Sequence, residues 1–159
     1  MSQTTNLRRI VKEAEDLNNL SDEYATMFEV EIIEDNMFHW NAMIYGPPDT
    51  LYAGYEFLLD IVLPADYPNA PPTVKFITPI SHVNVNQSGD ICLDIIKTEE
   101  WKRTLTIRSV ILSVISLLGD PNVTDPLNAD LAEIFRRNKA DYEKCVRTAC
   151  RKHAKKIKA

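Results

Sequence analysis

Three cysteines, three histidines and 23 acidic residues are the side chains from which nucleophilic or acid–base chemistry could be built in this sequence. Cys92, Cys145 and Cys150 form no C-x-x-C pair and stand near no histidine cluster, so neither a zinc site nor a disulfide framework is expected. Any cysteine chemistry must come from one thiol. Cys145 and Cys150 fall in a helical pattern where a small apolar residue would serve as well. Cys92 lies in HVNVNQSGDICLDIIKTEEW, inside the longest stretch without a regular period, from Thr78 to Thr104. Long irregular segments in a compact domain are often functional. A free cysteine there reads either as a buried small hydrophobe or as a nucleophile. Asp90 and Asp94 flank it, and nearby negative charge disfavours a thiolate. A cysteine hydrolase would want the reverse, a cationic or histidine neighbour. His82, ten residues upstream, is the candidate base for that reading, but no orienting acid is evident.

The elements that must hold these residues follow from periodicity. Leu7, Ile10, Val11, Ala14 and Leu17 recur at helical spacing, with Arg8, Arg9 and Lys12 on the opposite side, predicting an amphipathic helix that ends near Asn18-Asn19. After a short polar link, Phe28, Val30 and Ile32 alternate. Phe38, Trp40, Ala42 and Ile44 alternate again after a Glu34-Asp35-Asn36 turn, which makes a hairpin. Tyr55, Phe57, Leu59, Ile61 and Leu63 supply a third strand. A proline-dense connector from Pro64 to Pro72 leads to a fourth, Val74 to Ile77. Beyond the irregular segment, Ile107, Val110, Ile111, Val114, Ile115 and Leu118 predict a helix crossing the core, capped by Thr106 and stopped at Gly119 and Pro121. Two further helices start at Asn128 and near Ala140. The order is that of an α+β domain.

The chain has 159 residues, of which 45% are hydrophobic and 26% charged, ordinary for one globular domain spanning 1–159. No apolar run reaches the length of a membrane span, and MSQTTNLRRI lacks a secretory apolar stretch, so a cytoplasmic or nuclear protein without a membrane role is expected. The net charge of −5 conceals ten Lys/Arg against two acids between Arg136 and Lys158. That basic tail reads as a solvated helix face or as a surface for an anionic partner. It lacks interleaved aromatics, and no nucleic-acid site is expected.

The run from His82 to Trp101 resembles the active-site segment of ubiquitin-conjugating enzymes, which typically reads HPN, a GxICLDIL-like stretch, then a Trp. The matching residues are His82-Val83-Asn84, Gly89-Asp90-Ile91-Cys92-Leu93-Asp94-Ile95 and Trp101. MFHW at 37–40, GPPDTLYAG at 46–54, YPNAPP at 67–72, LTI at 105–107 and DPNVTDPL at 120–127 also look like that family, in its order. Several separated motifs in order are far more specific than one.

The resemblance implies the UBC fold: an N-terminal helix, a four-stranded antiparallel meander, the irregular active-site segment, a crossing helix and two C-terminal helices. It also implies a cis bond at Pro71–Pro72. The activity implied is that of a ubiquitin carrier, accepting ubiquitin or a ubiquitin-like protein from an activating enzyme as a thioester on Cys92. Transfer to a substrate lysine or a ligase follows; the alternative from another class, a non-catalytic ubiquitin-binding scaffold, is opposed by the presence of Cys92. ATP is used upstream, no cofactor or metal is bound, and a monomer is expected. Sluggish thiol chemistry suits such a carrier, whose cargo must not be hydrolysed.

Residue by residue, His82 matches a structural histidine of the active-site loop. Asn84 matches an asparagine for which both oxyanion donation and loop support are claimed, beside the plainer reading of an Asx-turn residue. Asp125 matches the acid that positions the incoming lysine, and otherwise reads as a turn or capping residue. Asp94 matches a supporting acid. Leu112 matches a ubiquitin contact or is an ordinary core leucine. Arg8, Arg9 and Lys12 match activating-enzyme and ligase contacts or form a solvated face. Two loops complete that surface, Tyr67-Pro68-Asn69 and Lys102-Arg103-Thr104.

The sequence departs from the family pattern in four ways. Val83 replaces the usual proline, which is expected to loosen the loop. The spacing from Cys92 to Trp101 is one residue longer than is common. Asn69 and Lys102-Arg103-Thr104 make the partner-facing loops more polar and basic.

Overall fold

The computed structural model describes residues 3–158. Helix α1 (Gln3–Asn18) is followed by a one-turn helix α2 (Asp22–Ala25). Strands β1 (Phe28–Ile32), β2 (His39–Tyr45), β3 (Tyr55–Val62) and β4 (Thr73–Phe76) form an antiparallel meander in that spatial order. The registers Phe28↔Ile44, Trp40↔Ile61 and Leu59↔Phe76 bring the buried members of the alternating patterns onto one face. Helix α3 (Ile107–Gly119) lies against β2 and α1, burying Ile107, Val110, Ile111 and Val114 completely. Its start is set by Thr106, whose hydroxyl accepts from Ser109 N while Ser109 Oγ accepts from Thr106 N. Such a cap is typically worth about 1 kcal/mol. Helices α4 (Ala129–Arg137) and α5 (Lys139–His153) pack on each other, each capped by an asparagine, Asn128 and Asn138.

The meander, the crossing helix and the last two helices are where periodicity puts them. The polar link holds α2, and a two-residue strand β5 (Lys155–Lys156) pairs with the Tyr55-Glu56 end of β3. Both are too short to leave a period.

Two expectations need correction. On α1, Leu7 and Val11 are exposed, whereas Asn6 and Glu13 are buried with Ile10, Ala14 and Leu17. The inward stripe is therefore rotated from the one drawn through the apolar residues alone, because α1 meets the start of α3 through a carboxylate. Arg9 lies at the edge of this stripe and not opposite it. The cis peptide is Tyr67–Pro68, not Pro71–Pro72. The tight turn sits at 64–69, closed by Tyr67 N to Pro64 O (2.9 Å) and Asn69 N to Asp66 O (2.8 Å). Pro72 instead leads straight into extended β4. No helix among the described residues is long and apolar enough to cross a membrane.

Candidate active site around Cys92

The segment carrying Cys92 is tied to β4 by a small loop. Asn86 Oδ1 accepts from Ser88 N (3.0 Å) and Asp90 N (2.9 Å), and its amide donates to Asp90 Oδ2 (3.0 Å). This Asx-type bonding makes the turn without regular structure. Gly89 sits at φ +88°, and a Cβ there would lie 2.2 Å from Phe76 O. Gly89 O in turn accepts from Phe76 N (2.9 Å). Only glycine permits this approach. The chain then doubles back, pairing Val85 with Ile91, and Cys92 N donates to Asn84 O (2.9 Å).

His82 is fully buried with both ring nitrogens engaged. Nδ1 accepts from Asn84 N (2.9 Å), so Nε2 carries the proton and donates to Leu117 O (2.8 Å). Burial pushes its pKa down to about 4, so the ring is neutral and offers no lone pair to a thiol. That removes the base from the hydrolase reading.

Asn84, also buried, fastens the next segment. Its Oδ1 accepts from Asn122 N (2.8 Å), and its Nδ2 donates to Asn122 O (2.9 Å) and Asp125 O (3.2 Å). Both amide protons are thus spent on backbone carbonyls. Val83, expected to loosen the loop, is fully buried, and its carbonyl accepts from both Leu127 N and Asn128 N (2.9 Å each). Losing proline's ring does not free the backbone, because these two amides pin it.

This fastening brings Asp125 to Cys92 across 33 residues, with Sγ 3.7 Å from Oδ2. The sulfur is partly exposed. Its pKa is raised, first by partial burial and then by the charge of Asp125, with Lys97 opposing. Lys97 was not anticipated. Its Nζ lies 3.0 Å from Asp94 Oδ1 and 3.7 Å from Asp125 Oδ2. The sign was present in the sequence: Lys97 follows Asp94 by three residues at the end of a short 3₁₀ turn, Asp94–Ile96.

A second cluster lies at the far end of α1. Glu13, nearly buried, accepts at Oε2 from Arg9 Nε (2.9 Å) and Tyr67 OH (2.7 Å), and at Oε1 from Ile107 N (2.7 Å). Arg9 Nη2 also donates to Leu105 O (2.7 Å). Trp101 Nε1 donates to Pro68 O (2.8 Å). One carboxylate therefore joins α1, the 64–69 turn and the start of α3. Burial, then the bond to Glu13, holds the Tyr67 phenol well above its usual pKa. Glu13, too, was missed by a reading confined to apolar periodicity. It stands three residues after Ile10 and four before Leu17, on the inward stripe.

Around this hub, Arg8, Lys12, Asn69, Arg103 and Thr104 are exposed. Arg9 and Pro68 are not free surface. Arg9 is half-buried in the Glu13 network, and Pro68 is buried. Leu112 is half-buried on α3. The structure thus joins Cys92, Asn84, Asp94 and Asp125 in one cluster supported by His82, and sets the α1 residues and the two loops apart from it.

A family model described as ubiquitin-conjugating enzyme matches residues 9–150. A probable ubiquitin-conjugating enzyme E2 of Acanthamoeba polyphaga mimivirus is 45% identical over 152 residues, 96% of each chain. Among solved structures, a Toxoplasma gondii ubiquitin conjugating enzyme E2 domain superposes with a TM-score of 0.85 at 38% identity, covering 94% of this chain and 99% of the other. A Plasmodium yoelii chain described as a "putative ubiquitin conjugating enzyme" gives 0.88 at 37% identity, covering 96% and 97%. With its motifs in order, its fold matched and its length covered, the chain belongs to the ubiquitin-conjugating enzyme family.

Proposed function

We propose that this enzyme accepts ubiquitin from an activating enzyme as a thioester on Cys92 and passes it to a substrate lysine or to a ligase. The observation that carries this reading is a partly exposed sulfur 3.7 Å from an exposed carboxylate, with His82 bonded at both nitrogens. Such a thiol is poorly equipped to hydrolyse an ester but can exchange with one already activated. ATP is consumed upstream, by the activating enzyme.

In charging, the Cys92 sulfur attacks the incoming thioester, a new S–C bond forms, and the activating enzyme's thiol leaves with the proton. In discharge, a neutral amine attacks the carbonyl carbon, the C–N bond forms, the C–S bond breaks, and the sulfur leaves, the amine's proton restoring its thiol. Free lysine has a pKa of about 10.4, so the amine must lose a proton before attack. A carboxylate by itself holds that proton more tightly. Asp125 therefore serves by receiving and aiming the acceptor, with desolvation by the bound partner completing the task. The bonding of Asn84 favours loop support over oxyanion donation, since its amide protons already have acceptors.

Arg8, Lys12, Asn69, Arg103 and Thr104 offer the polar, basic surface on which the activating enzyme and a ligase would dock, with Glu13 and Arg9 holding its parts together. Leu112 is available to the carried ubiquitin.

Incubation with activating enzyme, ATP and ubiquitin tests the reading. A conjugate cleaved by reducing agent and lost in Cys92→Ala is expected. Charging by a different ubiquitin-like protein instead would replace ubiquitin in this assignment, and no conjugate with any modifier would remove the assignment altogether.

A further inference from the structure

We propose that Lys97 is a built-in competitor for the acceptor position at Asp125, setting how much lysine is needed to discharge the thioester. The inference rests on the function proposed for Cys92 and Asp125. It begins from one oxygen with two neighbours: Asp125 Oδ2 lies 3.7 Å from Cys92 Sγ and 3.7 Å from Lys97 Nζ. The carboxylate that would receive an arriving ammonium therefore already faces one, beside the sulfur. A substrate lysine has the same charged end as Lys97, so the two contend for the same group.

Lys97 is also arranged to yield. Its shorter contact, 3.0 Å, is to Asp94 Oδ1, fixed by the i,i+3 geometry of the 3₁₀ turn. Withdrawal from Asp125 leaves it paired. Asp94 and Asp125 side chains are 72% and 63% exposed, so neither contact is locked by burial. Exposed pairs of this kind are weak, which makes the competition a matter of several-fold and not of blockade. The other charged groups near the sulfur are Asp90 on the preceding turn, paired with Lys75, and Asp94 itself. Among the described residues, Lys97 is thus the cation that Asp125 meets at this site.

The test is single-turnover discharge. The full-length protein is charged with ubiquitin, the activating enzyme is stopped, and the thioester is followed against increasing free lysine. In Lys97→Met the half-saturating lysine concentration should fall roughly two- to fivefold, the span of an exposed ion pair, with the maximal rate retained. Lys97→Arg, which keeps the charge, should behave like the parent. Asp94→Asn should move the other way, because Lys97 then leans on Asp125 alone. Hydroxylamine, an acceptor uncharged at neutral pH, should discharge parent and Lys97→Met alike.

An unchanged half-saturating concentration in Lys97→Met overturns the inference, as does an equal fall in Lys97→Arg. Transfer onto Lys97 itself, seen as a reducing-agent-resistant conjugate absent from Lys97→Arg, makes it an acceptor and also overturns the inference. Failure to form any thioester is a different result. It removes the assignment of Cys92, and the competition with it.

Discussion

The Cys92 cluster and the Glu13 hub both join distant segments and both contain carboxylates, yet they are built in opposite ways. Around Cys92, Asp94 and Asp125 are largely exposed and Lys97 is half-buried, and the precision comes from backbone anchors beneath them at His82, Val83 and Asn84. At the hub, the carboxylate itself is buried and three donors converge on it. The difference separates two demands. On the function proposed above, groups that would meet an incoming lysine stay open to solvent and weakly paired. Groups that would hold a partner-facing surface in one shape are dry and fully bonded, where removing one member is costly.

The most severe way to break this contrast is at the hub. Glu13→Ala leaves Ile107 N, Tyr67 OH and Arg9 without their acceptor and should lower unfolding free energy by about 3 kcal/mol, read from urea denaturation. Asp125→Ala and Lys97→Met should each change it by less than about 0.5 kcal/mol. Comparable losses at both places would erase the distinction.

Nearly as large an effect is expected from the buried anchor beneath Cys92 and its neighbours. His82 has a folded pKa of about 4 against an ordinary 6.5. Between these values the unfolded chain binds a proton that the folded chain refuses. Stability is therefore fully present above about pH 6.5, declines as pH falls, and stops declining from this source below about pH 4. Linkage puts the total near 3 kcal/mol. His82→Gln, though weaker overall, should lack this part of the slope when urea midpoints are compared across that range.

The smallest effect sharpens the character of the Cys92 cluster itself. The rate of Cys92 alkylation by iodoacetamide should rise with pH to a midpoint above that of a free cysteine, and Asp125→Asn should bring the midpoint down. Lys97→Met should move it up, since the lysine opposes the acids. A midpoint well below the free value would contradict the proposed carrier thiol.

Strands and long helices were legible because burial repeats in them. Phe57, Leu59 and Ile61 all point inward as the alternation says, and Thr106 caps α3 as its position before Ile107 says. Cys92, Asn84 and Asp125 could be singled out because they stand in motifs; that 33 residues of chain return to within 3.7 Å could not be read from spacing. Glu13 escaped because a buried acid looks like a surface residue until its donors, Tyr67 and the amide of Ile107, are located. The Tyr67–Pro68 bond escaped because several prolines compete for one turn, and tertiary packing of Tyr67 and Trp101 decides among them.

The extra residue between Cys92 and Trp101 has a practical consequence. Glu100 N and Trp101 N both donate to Lys97 O (2.9 Å each), while Thr98, Glu99 and Glu100 are exposed. The lengthened stretch is a closed surface bump whose two ends are already fastened. Further length costs little there, about 0.6 kcal/mol for each doubling of a flexible loop. If Cys92 carries ubiquitin as proposed, a short peptide tag or a dye-bearing residue placed at exposed Glu99, seven residues after it, would give an optical gauge of cargo arriving and leaving.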